Sequence, residues 1–269
     1  MPEITTSDGV RLNHLESGDP AGRPVLLIAG FKAPATTWRR HFGALERAGH
    51  RVIALDRRGH GTSGIGPDDS HTMTRHGADI GDAISALGLT EVTVVGQSMS
   101  GNAVWALLAA GGAGGIRDIV IVDQTPKMIN TEDWRYGFYG YDASNADTHF
   151  AAGIPNPGRY SLRSKGLVRI AQVLKGTDLK AAKAGFTPAE LALLNDHAKA
   201  DWRPTIAAVE VPVLFIAGRE SEAWPCEHAA AAASLSRMGT SAVIEKAGHN
   251  TNLEQPKAFD ELLGRFLAG

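Results

Sequence analysis

Short apolar runs alternate with amphipathic stretches along most of the chain, and that alternation predicts a parallel sheet wrapped by helices. Residues 25–29 are Val-Leu-Leu-Ile-Ala, apolar at every position, as a strand covered on both faces requires. Residues 51–55, 91–95, 118–122, 211–217 and 242–245 read as further strands. Between them, residues 37–48, 73–87, 99–110 and 256–267 read as helices, the third of them buried because it is rich in Ala and Leu. At the start of the chain, residues 3–6 and 10–16 flank Asp8-Gly9, a dipeptide suited to a hairpin turn. The expected fold is α/β: a mostly parallel central sheet of about eight strands with helices on both faces.

The alternation stops after Val122. From 124 to 204 no apolar strand is evident, yet aromatics cluster there: Trp134, Tyr136, Phe138, Tyr139, Tyr141, Phe150 and Tyr160. A connection that long, of this composition, reads as a lid rather than a flexible linker. The expected organisation is therefore a core of residues 1–123 and 205–269, interrupted by a lid insertion of residues 124–204.

Composition narrows the possible partners. Lys plus Arg total 27 against 29 for Asp plus Glu, a formal net charge of −2, which leaves no basic footprint for nucleic acid. The single cysteine, Cys226, excludes an intramolecular disulfide and a cysteine-based zinc cluster. The first residues are polar and show no signal-peptide pattern, and no apolar run approaches the roughly 18 residues of a membrane span. These features lead to the expectation of a cytoplasmic protein that acts on a small molecule, away from nucleic acid and membrane.

Candidate chemistry starts at Gly96-Gln97-Ser98-Met99-Ser100-Gly101, between an expected strand and an expected helix. A turn that tight demands small residues two before and two after the serine, and Gly96 and Ser100 meet the demand. Ser98 would then project from the carboxyl edge of the sheet, with a helix N-terminus favouring negative charge beside it. A serine there could equally cap the helix; its partners decide. A serine hydroxyl needs a base. Of ten histidines, His249 follows the last expected strand, in a loop able to reach the same sheet edge.

Together these residues resemble the α/β-hydrolase-fold family over nearly the whole chain. The likeness is carried by Ile28-Ala-Gly-Phe31 with Trp38, by residues 51–63 (Arg-Val-Ile-Ala-Leu-Asp-Arg-Arg-Gly-His-Gly-Thr-Ser), by Gly96 to Gly101, by residues 211–225 and by Ala247-Gly-His249. It implies acyl transfer from a small ester or lactone, with Ser98 as nucleophile, His249 as base and no metal or organic cofactor. It also implies an oxyanion hole built from the main-chain N–H groups of Met99 and Phe31. The lid aromatics Trp134, Tyr136, Phe138 and Tyr139 are candidate liners of an apolar or aromatic substrate pocket, or else pack against one another.

The acid is the open member. The family's usual Asp falls in a Gly-x-x-Asp frame after the penultimate strand, and this chain has Ser221 there, flanked by Glu220 and Glu222. A second location used in the fold, by some haloalkane dehalogenases, a lactonase group and cofactor-free quinolone dioxygenases, lies after the preceding strand. There the chain has Asp123, which we favour over Glu222 and Glu220. The dehalogenases use an Asp nucleophile, so Ser98 argues against that activity. Three other activities fit the same residues. One is a cofactor-free dioxygenase resting on His249 and Asp123, one a ligand receptor that retains the triad, and one a perhydrolase that makes peracids.

Overall fold

The computed structural model describes residues 4–112, 114–160, 165–177 and 183–269. Its main sheet has seven strands: β3 (His14–Ser17), β4 (Arg23–Ile28), β5 (His50–Leu55), β6 (Val92–Gln97), β7 (Ile116–Val122), β8 (Val213–Gly218) and β9 (Gly239–Ile244). They lie in the order β3-β5-β4-β6-β7-β8-β9, all neighbours parallel except the β3–β5 pair. The expected count of about eight is one too many for this sheet. The opening hairpin forms a separate ribbon of β1 (Ile4–Thr5) and β2 (Arg11–Leu12), and only β3, beyond Asn13, joins the main sheet.

The unbroken apolar runs are explained by burial on both faces. Along β4, Leu26 and Ile28 enter one core while Val25 and Leu27 enter the other. Strands β7 and β8 divide in the same way: Ile119, Ile121, Val213 and Phe215 lie on one side, Val120, Val122, Leu214 and Ile216 on the other. Helices α1 (Arg39–Arg47) and α9 (Pro256–Ala268) close the second face. Helices α2 (Met73–Ala86) and α3 (Met99–Ala109) close the first, which also takes up part of the connection after β7. Strand β9 begins three residues earlier than its apolar run, because it is an edge strand whose first residues are half-buried or exposed.

Between β7 and β8 the chain adds no strand to the main sheet among the described residues. It carries α4 (Gly166–Gly176), α5 (Pro188–Lys199) and the short α6 (Arg203–Ala207). Helix α5 is well started: Thr187 and Glu190 form a reciprocal capping box, with Pro188 in the first turn. Two more short helices follow β8 and β9 respectively: α7 (His228–Ala233) and α8 (Thr251–Glu254).

Candidate active site

Strand β6 runs into α3 through Ser98, whose backbone is held at φ 55° and ψ −134°. That conformation is costly for a residue with a side chain and persists where packing enforces it. The packing is visible at Gly96, where a Cβ would stand 2.8 Å from the Ser100 carbonyl oxygen and from the Gly101 nitrogen. The strained turn lifts the Ser98 hydroxyl clear of the sheet and sets it 2.9 Å from His249 Nε2. Beyond the ring, His249 Nδ1 lies 2.8 Å from Asp123 Oδ2. A carboxylate only accepts, so Nδ1 carries the proton and Nε2 is free to take the one on Ser98.

Asp123 follows β7 with a left-handed backbone (φ 46°) and is fully buried. Its charge is spread over hydrogen bonds. Oδ1 accepts the Gly218 N–H at 2.8 Å, and Oδ2 accepts both His249 and the Ser221 hydroxyl, the latter at 2.6 Å. Burial pulls the His249 imidazolium down, but the hydrogen bond and charge of Asp123, aided by Glu222, outweigh it and leave its pKa above the ordinary value. The ring is packed edge-on against Trp224 at a centroid separation of 5.3 Å.

The two glutamates beside Ser221 are spent elsewhere. Glu222 accepts the His249 main-chain N–H at 2.8 Å and forms an ion pair with Lys165. Glu220 pairs with Arg169 at 2.6 Å. Lys165 and Arg169 also hold the buried carboxylate of Glu254, so the start of α4 is fastened to the loop that carries His249.

The loop after β4 is pinned from several sides. The Gly30 N–H donates to Gln97 Oε1 at 2.8 Å, and a Cβ on Gly30 would meet that oxygen at 2.5 Å. The Arg57 guanidinium donates to the carbonyls of Ala29 and Gly30, at 3.2 and 2.8 Å, and the Ser100 hydroxyl donates to Ala29 as well. Burial lowers the Arg57 pKa to about 9, so the group stays cationic near neutral pH. A buried cation under this loop favours negative charge in the space above it. Phe31, next along the loop, and Met99, first residue of α3 with its N–H in an unpaired helical turn, both border that space with Ser98.

Ser98 and His249 open into a cavity of about 310 Å³, at the lower end of the range for small-molecule pockets. Phe138 forms part of its wall together with Met128, Phe150 and Leu194. The other three aromatic candidates lie outside the lining. Trp134 donates its indole N–H to Thr125 and Lys127 and packs edge-on against Tyr136, and Tyr139 lies under the Arg159 guanidinium. In the sequence Ser221 is visible only as a missing acid, and nothing there gives Gln97, Arg57, Trp224 or His197 a part in the site.

A model of the alpha/beta hydrolase family matches residues 25–262, and the chain belongs to that family. Among curated proteins it is 28% identical over 239 residues to a non-heme haloperoxidase of Rhodococcus erythropolis, covering 86% of this chain and 85% of that one. Among solved structures it is similar to an esterase from Exiguobacterium antarcticum (TM-score 0.80, 20% identity, 99% of each chain). It is also similar to a bromoperoxidase from Bacillus anthracis (TM-score 0.79, 25% identity, 98% of this chain and 97% of that one). Among the described residues, no helix is long and apolar enough to cross a membrane.

Proposed function

We propose that the protein is a serine hydrolase that cleaves a small carboxylic ester or lactone through an acyl-enzyme on Ser98. The observation that carries the proposal is the unbroken hydrogen-bonded path from Ser98 through His249 to Asp123, opening into an apolar cavity. Ser98 Oγ attacks the carbonyl carbon while His249 Nε2 takes its proton. The N–H groups of Met99 and Phe31 receive the negative oxygen, and Arg57 adds its field from below. As the tetrahedral intermediate collapses, His249 gives the proton to the departing alkoxide. Water then repeats the sequence and releases the acid. Asp123 keeps the imidazole in its productive tautomer and stabilises the cation formed in each half. Residues 124–204 act as the lid over this site.

The relatives named as haloperoxidases favour a second reading on the same residues. Hydrogen peroxide, in place of water, would attack the acyl-enzyme and leave as a peracid. One set of assays separates the two. Wild type and Ser98→Ala are given short p-nitrophenyl esters and small lactones, under air and under argon, and separately acetate, peroxide and bromide. Hydrolysis that is independent of oxygen and falls by about 10⁵–10⁶-fold in Ser98→Ala supports the hydrolase. Ester turnover that survives the loss of Ser98 would sink it. Bromination that outpaces hydrolysis assigns the perhydrolase.

A further inference from the structure

Glu222 and Asn250 border the cavity beside the reacting residues, while the wall that faces them from the segment after β7 is apolar with one exception. His197, on α5, lines the cavity and is 3% exposed. Its neighbours on that wall are Leu194, Met128, Phe138 and Phe150. Neither ring nitrogen has a hydrogen bond to a described residue, and Nδ1 is buried. A buried polar group without a partner is destabilising, and a leucine would fill such a wall without that penalty.

Other buried imidazoles do not share this position. His41 is bonded to Asp260 and His76 to Arg57, while His228 lies behind Asp123, outside the cavity lining. The placement of His197 is also firm. Its helix is capped by Thr187 and Glu190, Asp196 accepts the Met73 N–H at 2.7 Å, and Lys199 pairs with Asp147.

We propose that His197 is a substrate-binding residue, and that the molecule filling the cavity is an apolar body bearing one uncharged oxygen function, keto or hydroxyl, that hydrogen-bonds to this imidazole. The proposal rests on the site being the one that binds the ester. The charges around the cavity agree with an uncharged group. Burial, with Arg57 and His249 nearby, holds the His197 pKa down at about 3, so the ring is neutral at ordinary pH and offers no cation to a carboxylate. Glu222, also on the wall, is paired with Lys165 and offers an anion no partner.

The test uses phenyl pentanoate, phenyl 4-oxopentanoate and 3-hydroxyphenyl pentanoate, placing the oxygen on neither, the acyl or the leaving side. Each is assayed for kcat/KM with wild type, His197→Leu and His197→Gln. In parallel, the Ser98→Ala protein, with and without His197→Leu, is titrated by calorimetry with the matching ketones in which a methylene replaces the ester oxygen. We expect wild type to prefer one oxygenated ester over the plain one. His197→Leu should lower that preference by about tenfold or more, and His197→Gln, which keeps a hydrogen-bonding group, should retain most of it.

Calorimetry should show the same loss of preference. A preference unchanged in His197→Leu, or an equal loss on all three esters, overturns the proposal, as does the absence of any preference in wild type. If no ester turns over but the oxygenated ketone binds preferentially and loses that preference with His197, the hydrolase reading fails and the binding assignment stands.

Discussion

The ends of β7 and β8 face the same imidazole and are built in opposite ways. At the end of β7, Asp123 is fully buried, takes a left-handed backbone and meets the His249 ring at 2.8 Å. At the end of β8, Ser221 is also buried, but it donates its hydroxyl to Asp123, and Glu222 is turned to the His249 main chain and Lys165. The difference is that the end of β7 brings a carboxylate to the ring, while the end of β8 brings a hydroxyl that supports that carboxylate. Two carboxylates this close could not both ionise without raising one pKa sharply. With Asp123 in place, the position across from it becomes a hydrogen-bond donor.

Removing the charge at the β7 station should give the largest effect in this comparison. Asp123→Asn is expected to lower kcat by about 10⁴-fold and to shift the base to lower pKa, because the main charge that stabilises the imidazolium is gone. Ser98 remains intact, so a serine-directed phosphonate still labels the protein, slowly. Adding Ser221→Asp to that variant places a carboxylate within one side-chain length of the vacated oxygen. Recovery of about tenfold or more would show that the stations are interchangeable. A double variant as slow as the single one would show that the β7 position is required in itself.

Ser221→Ala comes next. It leaves the charge and removes a hydrogen bond to it, which in general is worth about 1.5–3 kcal/mol. We expect kcat/KM to fall by about tenfold, with normal folding by circular dichroism. The sign of the pH effect is the sharper readout. His249 must be neutral to act as base, so activity rises as pH climbs through its pKa. Without the serine donor more of the negative charge on Asp123 falls on the imidazolium, and the rising limb should move to higher pH, opposite to its movement in Asp123→Asn. A limb that stays in place would reduce Ser221 to packing.

The fold was largely legible because its strands are covered on both faces. Leu26 and Val25 are both buried, so the run containing them could hardly be anything but a central strand. Edge elements lack that signal, so the apolar pattern covers only the last part of β9 and does not separate the opening ribbon from the main sheet. Within the site, Ser98 is marked by a tight local motif, and His249 by its place after the last expected strand. Ser221 was marked by the frame it fails to complete. The contributions of Arg57, Gln97 and His197 depend on which loop lies beneath or opposite them, and one sequence carries no sign of that. Trp134 shows the converse: an aromatic residue in an insertion has many ways to be buried, and here its indole is fixed by Thr125 and Lys127 instead of lining the cavity.

The smallest effect should come from Glu222, one of the two acids that flank Ser221. Glu222→Gln keeps an oxygen able to accept the His249 N–H, and Lys165 keeps Glu254 as a partner. What is lost is a negative charge whose side chain is 28% exposed, so solvent already screens much of its influence. That charge helps hold the imidazole pKa up. Its removal should therefore lower the pKa slightly and shift the rising limb of kcat/KM towards lower pH, with kcat within about threefold of wild type. The contrast with Asp123→Asn is the decisive number. If Glu222→Gln abolished turnover while Asp123→Asn tolerated it, the working charge would belong to β8, and the hydrogen bond from His249 Nδ1 to Asp123 would be an arrangement of the resting protein that the reaction does not use.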